Sequence, residues 1–145
     1  CLTMSHLSPF HLAIPVKNLL TARTFYRDVM QCTEGRSDTK WVDFNFYGHQ
    51  LVIHEIKQFI NPEPKNNNPV DGHEVPIPHF GIVLEMGLWK KLSERLKSHQ
   101  IDFIIEPYVR FEGQPGEQAT MFFKDPSGNA LEFKAFKNLS QLFAK

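Results

Sequence analysis

Phe122-Phe123-Lys124-Asp125-Pro126-Ser127-Gly128-Asn129-Ala130-Leu131-Glu132-Phe133 is the stretch on which the fold turns. Its middle, Asp125 to Asn129, concentrates residues that make tight turns. Strand-like apolar runs flank it, Ala119 to Phe123 before and Ala130 to Phe136 after. Successive side chains of a strand face opposite sides of the sheet, so Leu131, Phe133 and Ala135 share one face and Glu132 leaves from the other.

Working outward, the same parity recurs twice. His79 stands opposite Phe80, Ile82 and Leu84, and His11 stands opposite Leu12, Ile14 and Val16. If the apolar faces pack on helices, two imidazoles and a carboxylate emerge on the far side, where a cavity between the halves of the chain would gather them. Such a set holds Fe(II), Mn(II), Ni(II) or Zn(II) and leaves coordination positions open for substrate or oxygen. His11, His79 and Glu132 are therefore the candidate metal ligands. A lone strand histidine is more often structural, and it is the agreement of three parities that singles these out.

The order strand, helix, several strands occurs twice. After the first strand, Asn18 suits an N-cap, and Ala22, Phe25, Tyr26, Val29 and Met30 recur at three- and four-residue steps. A helix is predicted whose other face turns Arg23, Thr24, Arg27 and Asp28 outward. Strands are predicted over Thr33 to Ser37, Trp41 to Tyr47 and Gln50 to Ile56, the last two meeting near Gly48. In the second half a helix near Leu88 to His99 is expected to bury Leu88, Leu92 and Leu96. A strand at Phe103 to Ile105 and the two strands around the quoted turn follow it. Between the halves, Phe59 to Pro78 is crowded with Pro and Asn, which opposes helix and central strand and reads as a connector. One domain over 1–145 is expected: module one about 8–58, a polar connector about 59–77, module two about 78–138 and a short C-terminal tail.

Internal symmetry also sets Leu51-Val52-Ile53-His54 beside Ala130-Leu131-Glu132-Phe133. His54 and Gln50 lie on the face opposite Leu51 and Ile53 and are rivals for a fourth ligand or a base. His54 is the candidate catalytic group, since a neutral imidazole accepts a proton at near-neutral pH. Gln50 is then left to contact substrate.

Bulk properties narrow the function classes. The chain has 145 residues, enough for one core and too few for two independent ones. Lys and Arg number 16, as do Asp and Glu, so no global field recruits nucleic acid or an anionic membrane. A small neutral or chelating molecule is the expected partner. The only cysteines are Cys1 and Cys32, which argues against a disulfide framework and for the cytoplasm. No apolar run approaches the roughly 18 residues of a spanning helix.

His11-Leu12-Ala13-Ile14-Pro15-Val16 with Ala22-Arg23-Thr24-Phe25-Tyr26-Arg27-Asp28-Val29-Met30 resembles the opening of a vicinal oxygen chelate module. Phe122 to Phe133 resembles the closing motif of that superfamily, an Asp-Pro-x-Gly turn before the strand carrying a ligand Glu. With Pro78-His79-Phe80-Gly81, the likeness spans nearly the whole chain. The resemblance implies an α+β fold of paired βαβββ modules forming a curled mixed sheet cup, a divalent metal in the cup, and substrates that chelate it through neighbouring oxygens. It also implies a homodimer, in which modules pair within one chain or swap across two. Relatives isomerise hemithioacetals, cleave catechols with O2, transfer thiols to an epoxide antibiotic or sequester drugs, so the fold does not choose the chemistry.

Two departures bear on that choice. Where glyoxalase I usually supplies a carboxylate from the last strand of module one, this chain offers His54 and Gln50. Where extradiol dioxygenases usually carry a Tyr, Phe122 and Phe123 stand, although His49 or His54 would imitate their base. The segment Glu106 to Gly116 suits a substrate lid whose Arg110 would pair with a substrate carboxylate, though such an Arg is as readily a solvated charge. His6, His73 and His99 are given no role. The expected function is that of a metal-dependent dioxygenase or lyase/isomerase. The alternative is a metal-free binding protein of the bleomycin-resistance type.

Overall fold

A computed structural model describes residues 7–57, 67–70 and 73–145. His6 and, in the expected connector, residues 59–66, 71 and 72 lie outside the described residues. The chain divides into two compact units, Cys1–Ile60 and Asn61–Lys145.

The first unit begins with β1 (His11–Val16) and α1 (Leu19–Thr24), which runs on as a π-helical turn over Phe25–Val29. Then come β2 (Thr33–Ser37), β3 (Trp41–Phe46) and β4 (His49–Glu55). Asn18 caps α1 as expected, its side chain accepting from Thr21 N at 2.9 Å, and Glu55 Oε2 accepts from Leu19 N at 2.8 Å. Ala22, Phe25, Tyr26 and Met30 are buried with Val42, Phe44, Leu51 and Ile53, and the rings of Tyr26 and Phe44 are 5.7 Å apart. Arg23 departs from the expected outward face: its guanidinium bonds both oxygens of Glu34 on β2, at 2.6 and 2.7 Å. That contact holds the Glu34 carboxyl below the usual carboxylate range. The strands run in the order β1-β4-β3-β2, with β1 parallel to β4 and the other pairs antiparallel. Tyr47 and Gly48, with φ of 54° and 87°, close the hairpin from β3 to β4.

The second unit opens with a surprise inside the expected connector. β5 (Asn67–Val70) and β6 (His73–Pro76) form an antiparallel hairpin. Pro and Asn exclude a central strand, but a two-stranded ribbon leaves half of its backbone groups free of the ladder and tolerates them. Next come β7 (Val83–Leu84), α2 (Met86–Ser98), β8 (Phe103–Arg110), β9 (Gln118–Lys124) and β10 (Ala130–Phe136), with a 3-10 turn at Leu139–Gln141. The order is β7-β10-β9-β8, with β7 parallel to β10. Helix α2 buries Trp89, Leu92, Ser93 and Leu96, while Leu88 is 51% exposed. Leu92 and Leu96 are buried as expected, and only Leu88 is not, because four-residue steps drift around the helix, whereas 89, 92, 93 and 96 hold one stripe. Trp89 Nε1 donates to Phe133 O at 2.9 Å, fixing α2 to the apolar face of β10.

The turn from Asp125 to Asn129 forms as read. Asp125 is buried, and its carboxylate accepts from Ser127 N, Asn129 N and Asn129 Nδ2, each at 2.9 Å. The first part of the expected lid, Glu106 to Arg110, is the end of β8, and only the part after it, 111–116, is irregular turn. The architecture is thus α+β with two four-stranded mixed sheets of the same strand order, as the sequence implied. Among the described residues no helix is long and apolar enough to cross a membrane.

Candidate functional site

In the second unit two expected ligands come together, although the strand expected from His79 to Leu84 shortens to Val83–Leu84: Glu132 lies within β10, while His79 stands outside any strand, just before the bridge at Phe80. Glu132, Phe122 and Thr120 share one sheet face, set by the pairs Glu132 with Phe122 and Lys134 with Thr120. His79 Nε2 lies 3.4 Å from Glu132 Oε1. The second carboxylate oxygen, Oε2, accepts from Thr120 Oγ1 at 2.7 Å, and Lys134 Nζ lies 3.7 Å from Oε1. His79 Nδ1 is 2.7 Å from Pro76 O, and because a carbonyl oxygen only accepts, Nδ1 carries the proton. In the neutral ring the Nε2 lone pair then faces the carboxylate. Two acceptors at that distance need a positive charge between them, either a second ring proton or a shared cation. This nitrogen and oxygen pair fits a divalent first-row metal.

Packing beneath the pair restrains the imidazole. The His79 ring meets Phe122 edge to face, centroids 4.8 Å apart at 77°. Phe122 is 1% exposed and clusters with Ile105 and with Val75 of β6. The hairpin within the connector therefore supports the site twice, through the Pro76 carbonyl and through Val75 under Phe122. Gly81 supplies a further requirement. The segment from Phe80 to Val83 runs parallel to β10, with Phe80 bridging Leu131 and Val83 paired with Lys134, so Gly81 sits against Glu132. A Cβ at position 81 would lie 1.6 Å from the Glu132 carbonyl oxygen, so only glycine lets the two backbones approach this closely.

In the first unit His11 is exposed and paired with Gln50 across the parallel ladder. Its Nδ1 lies 2.8 Å from Gln50 Oε1, and Gln50 Nε2 donates to Asp43 Oδ2 at 3.3 Å. Both ends of the Gln50 amide are thereby engaged. Asp43, 9% exposed, is the member of this group that sequence reasoning missed. Its position between Val42 and Phe44 was the available signal, since strand parity sends it to the His11 face.

The register also corrects the expected alignment of the two halves. His11 pairs with Gln50 and Ala13 with Val52, while His79 is followed two residues later by Gly81 against Glu132. The counterpart of Glu132 is therefore Val52, which is 6% exposed, and not Ile53, so His54 does not take that position. Instead His54 sits one step further on the same face, exposed, as the counterpart of Lys134. His49 is on the other face, where its Nδ1 accepts from Phe10 N at 2.8 Å. Arg110 ends β8 on the Glu132 face, its guanidinium carbon 5.0 Å from the Phe111 ring centroid. Among the described residues no group of three His, Cys, Asp or Glu side chains suited to a metal is gathered.

Known proteins share this strand order. The model of the Glyoxalase/Bleomycin resistance protein/Dioxygenase superfamily matches residues 8–133. A glyoxalase/bleomycin resistance protein/dioxygenase from Alicyclobacillus acidocaldarius is 30% identical, with 97% of this chain and 100% of that one covered and a TM-score of 0.76. A fosfomycin resistance protein from Listeria monocytogenes is 20% identical over 92% of this chain and 94% of its own, with a TM-score of 0.63. A lactoylglutathione lyase from Agrobacterium tumefaciens is 17% identical over 98% of this chain and 100% of its own, with a TM-score of 0.64. At these identities the last two speak to the fold alone. No curated protein sequence matches the chain. The match over residues 8–133, together with the doubled strand order, makes this chain a member of the glyoxalase, bleomycin resistance and dioxygenase superfamily.

Proposed function

We propose that the chain is a small divalent-metal enzyme, a dioxygenase or a lyase/isomerase, in which His11, His79 and Glu132 hold the ion and a small substrate chelates through neighbouring oxygens. The observation that carries the reading is the His79 and Glu132 pair, Nε2 to Oε1 at 3.4 Å, with the far side of each group tied off by Pro76 O and Thr120 Oγ1. A divalent ion held by these donors would supply Lewis acidity toward the substrate oxygens. The chain's own contribution is orientation. Pro76 fixes the His79 tautomer, Thr120 and Lys134 hold the carboxylate, and Phe122 stops the imidazole from turning.

His54 is the group that would accept a substrate proton, because Val52 leaves β4 without a carboxylate at the position matching Glu132. Arg110, on the Glu132 face, would pair with an anionic group of the substrate, while Gln50 acts behind His11. His11 would complete the ligand set from the same chain or from a second copy in a homodimer, and the cytoplasm suits a reduced Cys32. The test is elemental metal content after anaerobic, tag-free purification. Near-stoichiometric metal that vanishes in Glu132→Ala is expected, and negligible metal in both proteins after reconstitution would overturn the reading.

A second reading is favoured by Lys134, 3.7 Å from Glu132 Oε1. With His79 protonated, the three side chains and Thr120 would form a closed ion-pair network, and the protein would bind a small molecule without metal or turnover. Divalent ions would then leave its melting temperature unchanged.

A further inference from the structure

The hydrogen bonds behind His11 have a direction, and one residue sets it. Asp43 leaves β3 on the face opposite the buried Val42 and Phe44 and is itself only 9% exposed. Across the ladder it is paired with Val52, which places it diagonal to Gln50. A primary amide can present either end to a neighbour, so Gln50 alone would let His11 Nδ1 donate or accept. A carboxylate only accepts. With Asp43 Oδ2 at 3.3 Å, Gln50 must turn its NH2 toward β3, which leaves Oε1 toward His11 Nδ1 at 2.8 Å. Nδ1 must then donate, and in the neutral ring the lone pair falls on Nε2.

We infer that Asp43 is a positioning residue which, acting through Gln50, holds His11 as the Nδ1–H tautomer and so presents Nε2 as a donor for a divalent cation. The last clause rests on His11 being a ligand, as proposed above; the tautomer control does not. The second unit reaches the same end by a different route, since Pro76 O is a backbone acceptor and fixes His79 directly. His11 has a side-chain amide in that place, which is ambiguous until a third group orients it. A carboxylate kept in a nearly closed site and holding one long hydrogen bond to an amide is costly to bury, which is consistent with a role for its acceptor-only character.

The experiment uses the full chain without metal, in buffer alkaline enough to keep imidazoles neutral, with nitrogen-15 shifts of the His11 ring reporting the tautomer. Wild type is expected to show Nδ1–H alone. Asp43→Asn keeps the shape and a hydrogen bond but removes the direction, so both tautomers are expected. Asp43→Leu is expected to do the same. A role for Asp43 in folding alone would leave a single tautomer in Asp43→Asn. An Nε2–H ring in wild type, or one unchanged tautomer in both variants, overturns the inference. Calorimetric titration with Zn2+ and Mn2+ forms the second arm, where Asp43→Asn is expected to weaken binding by about tenfold or more. A wild type that shows the tautomer control yet binds neither ion upholds the positioning role and counts against the metal reading instead.

Discussion

In the first unit the histidine that opens β1 faces Gln50, and two positions further the parallel ladder sets Ala13 against Val52. In the second unit His79 is followed by Gly81 set against Glu132, whose side chain returns toward His79. The strand order is the same in both sheets, so topology does not account for the difference. One unit carries an imidazole and an acid together. The other carries an imidazole backed by a relay, with an apolar residue where its acid would be. The two sheets share positions but divide the chemistry unequally, and the close backbone approach at Gly81 accompanies the acid.

The largest expected effect probes that approach. Gly81→Ala should destabilise by more than about 3 kcal/mol, at or beyond the upper range of overpacking, because the clashing atom is backbone and cannot rotate away. Ala13→Gly, the matching position, should cost only about 0.5–1 kcal/mol. Thermal unfolding of the pair reads the contrast, and equal losses would break the register equivalence. Next, Val52→Glu would install the missing acid. Burying it without a partner should cost about 1–3 kcal/mol in metal-free protein, and divalent ions should restore the melting temperature. Failure of every ion tried to restore it would deny that position 52 matches position 132.

Thr120→Val keeps the shape and removes the hydroxyl that donates to Glu132 Oε2. A loss of about 1.5–3 kcal/mol is expected, the range for hydrogen bonds to charged groups, read by chemical denaturation at neutral pH. The smallest effect lies in the first unit. The Glu34 carboxyl is held low by Arg23, so its stabilisation is present above the unfolded value of about 4.3 and is lost as pH falls through the lower folded value. Glu34→Gln should therefore cost less than about 1 kcal/mol at neutral pH, given the partial exposure of the pair, and nothing in strong acid. A difference that persists at low pH would assign Glu34 to packing.

Legibility followed the range of the interactions involved. Helix α1 and its Asn18 cap, the turn at Asp125 and the outward parity of His11 and Glu132 are written in short windows, where periods of two and 3.6 and turn chemistry act locally. The hairpin in the connector was hidden because Pro and Asn signal only what is unfavourable, while pairing and the seat of Val75 under Phe122 lie far along the chain. Trp89 in place of Leu88 followed from helical drift, which apolar spacing alone did not resolve.

By itself the sequence determined the superfamily, the doubled strand order and which face of β1 and of β10 carries His11 and Glu132, because alternation is a property of consecutive residues. Only tertiary structure decided that Val52 and not Ile53 answers to Glu132, that Gly81 must lack a side chain, and that Asp43 stands behind Gln50. Each depends on which residues meet across a ladder, and ladder register is set by long-range backbone pairing that a one-residue slip would invert.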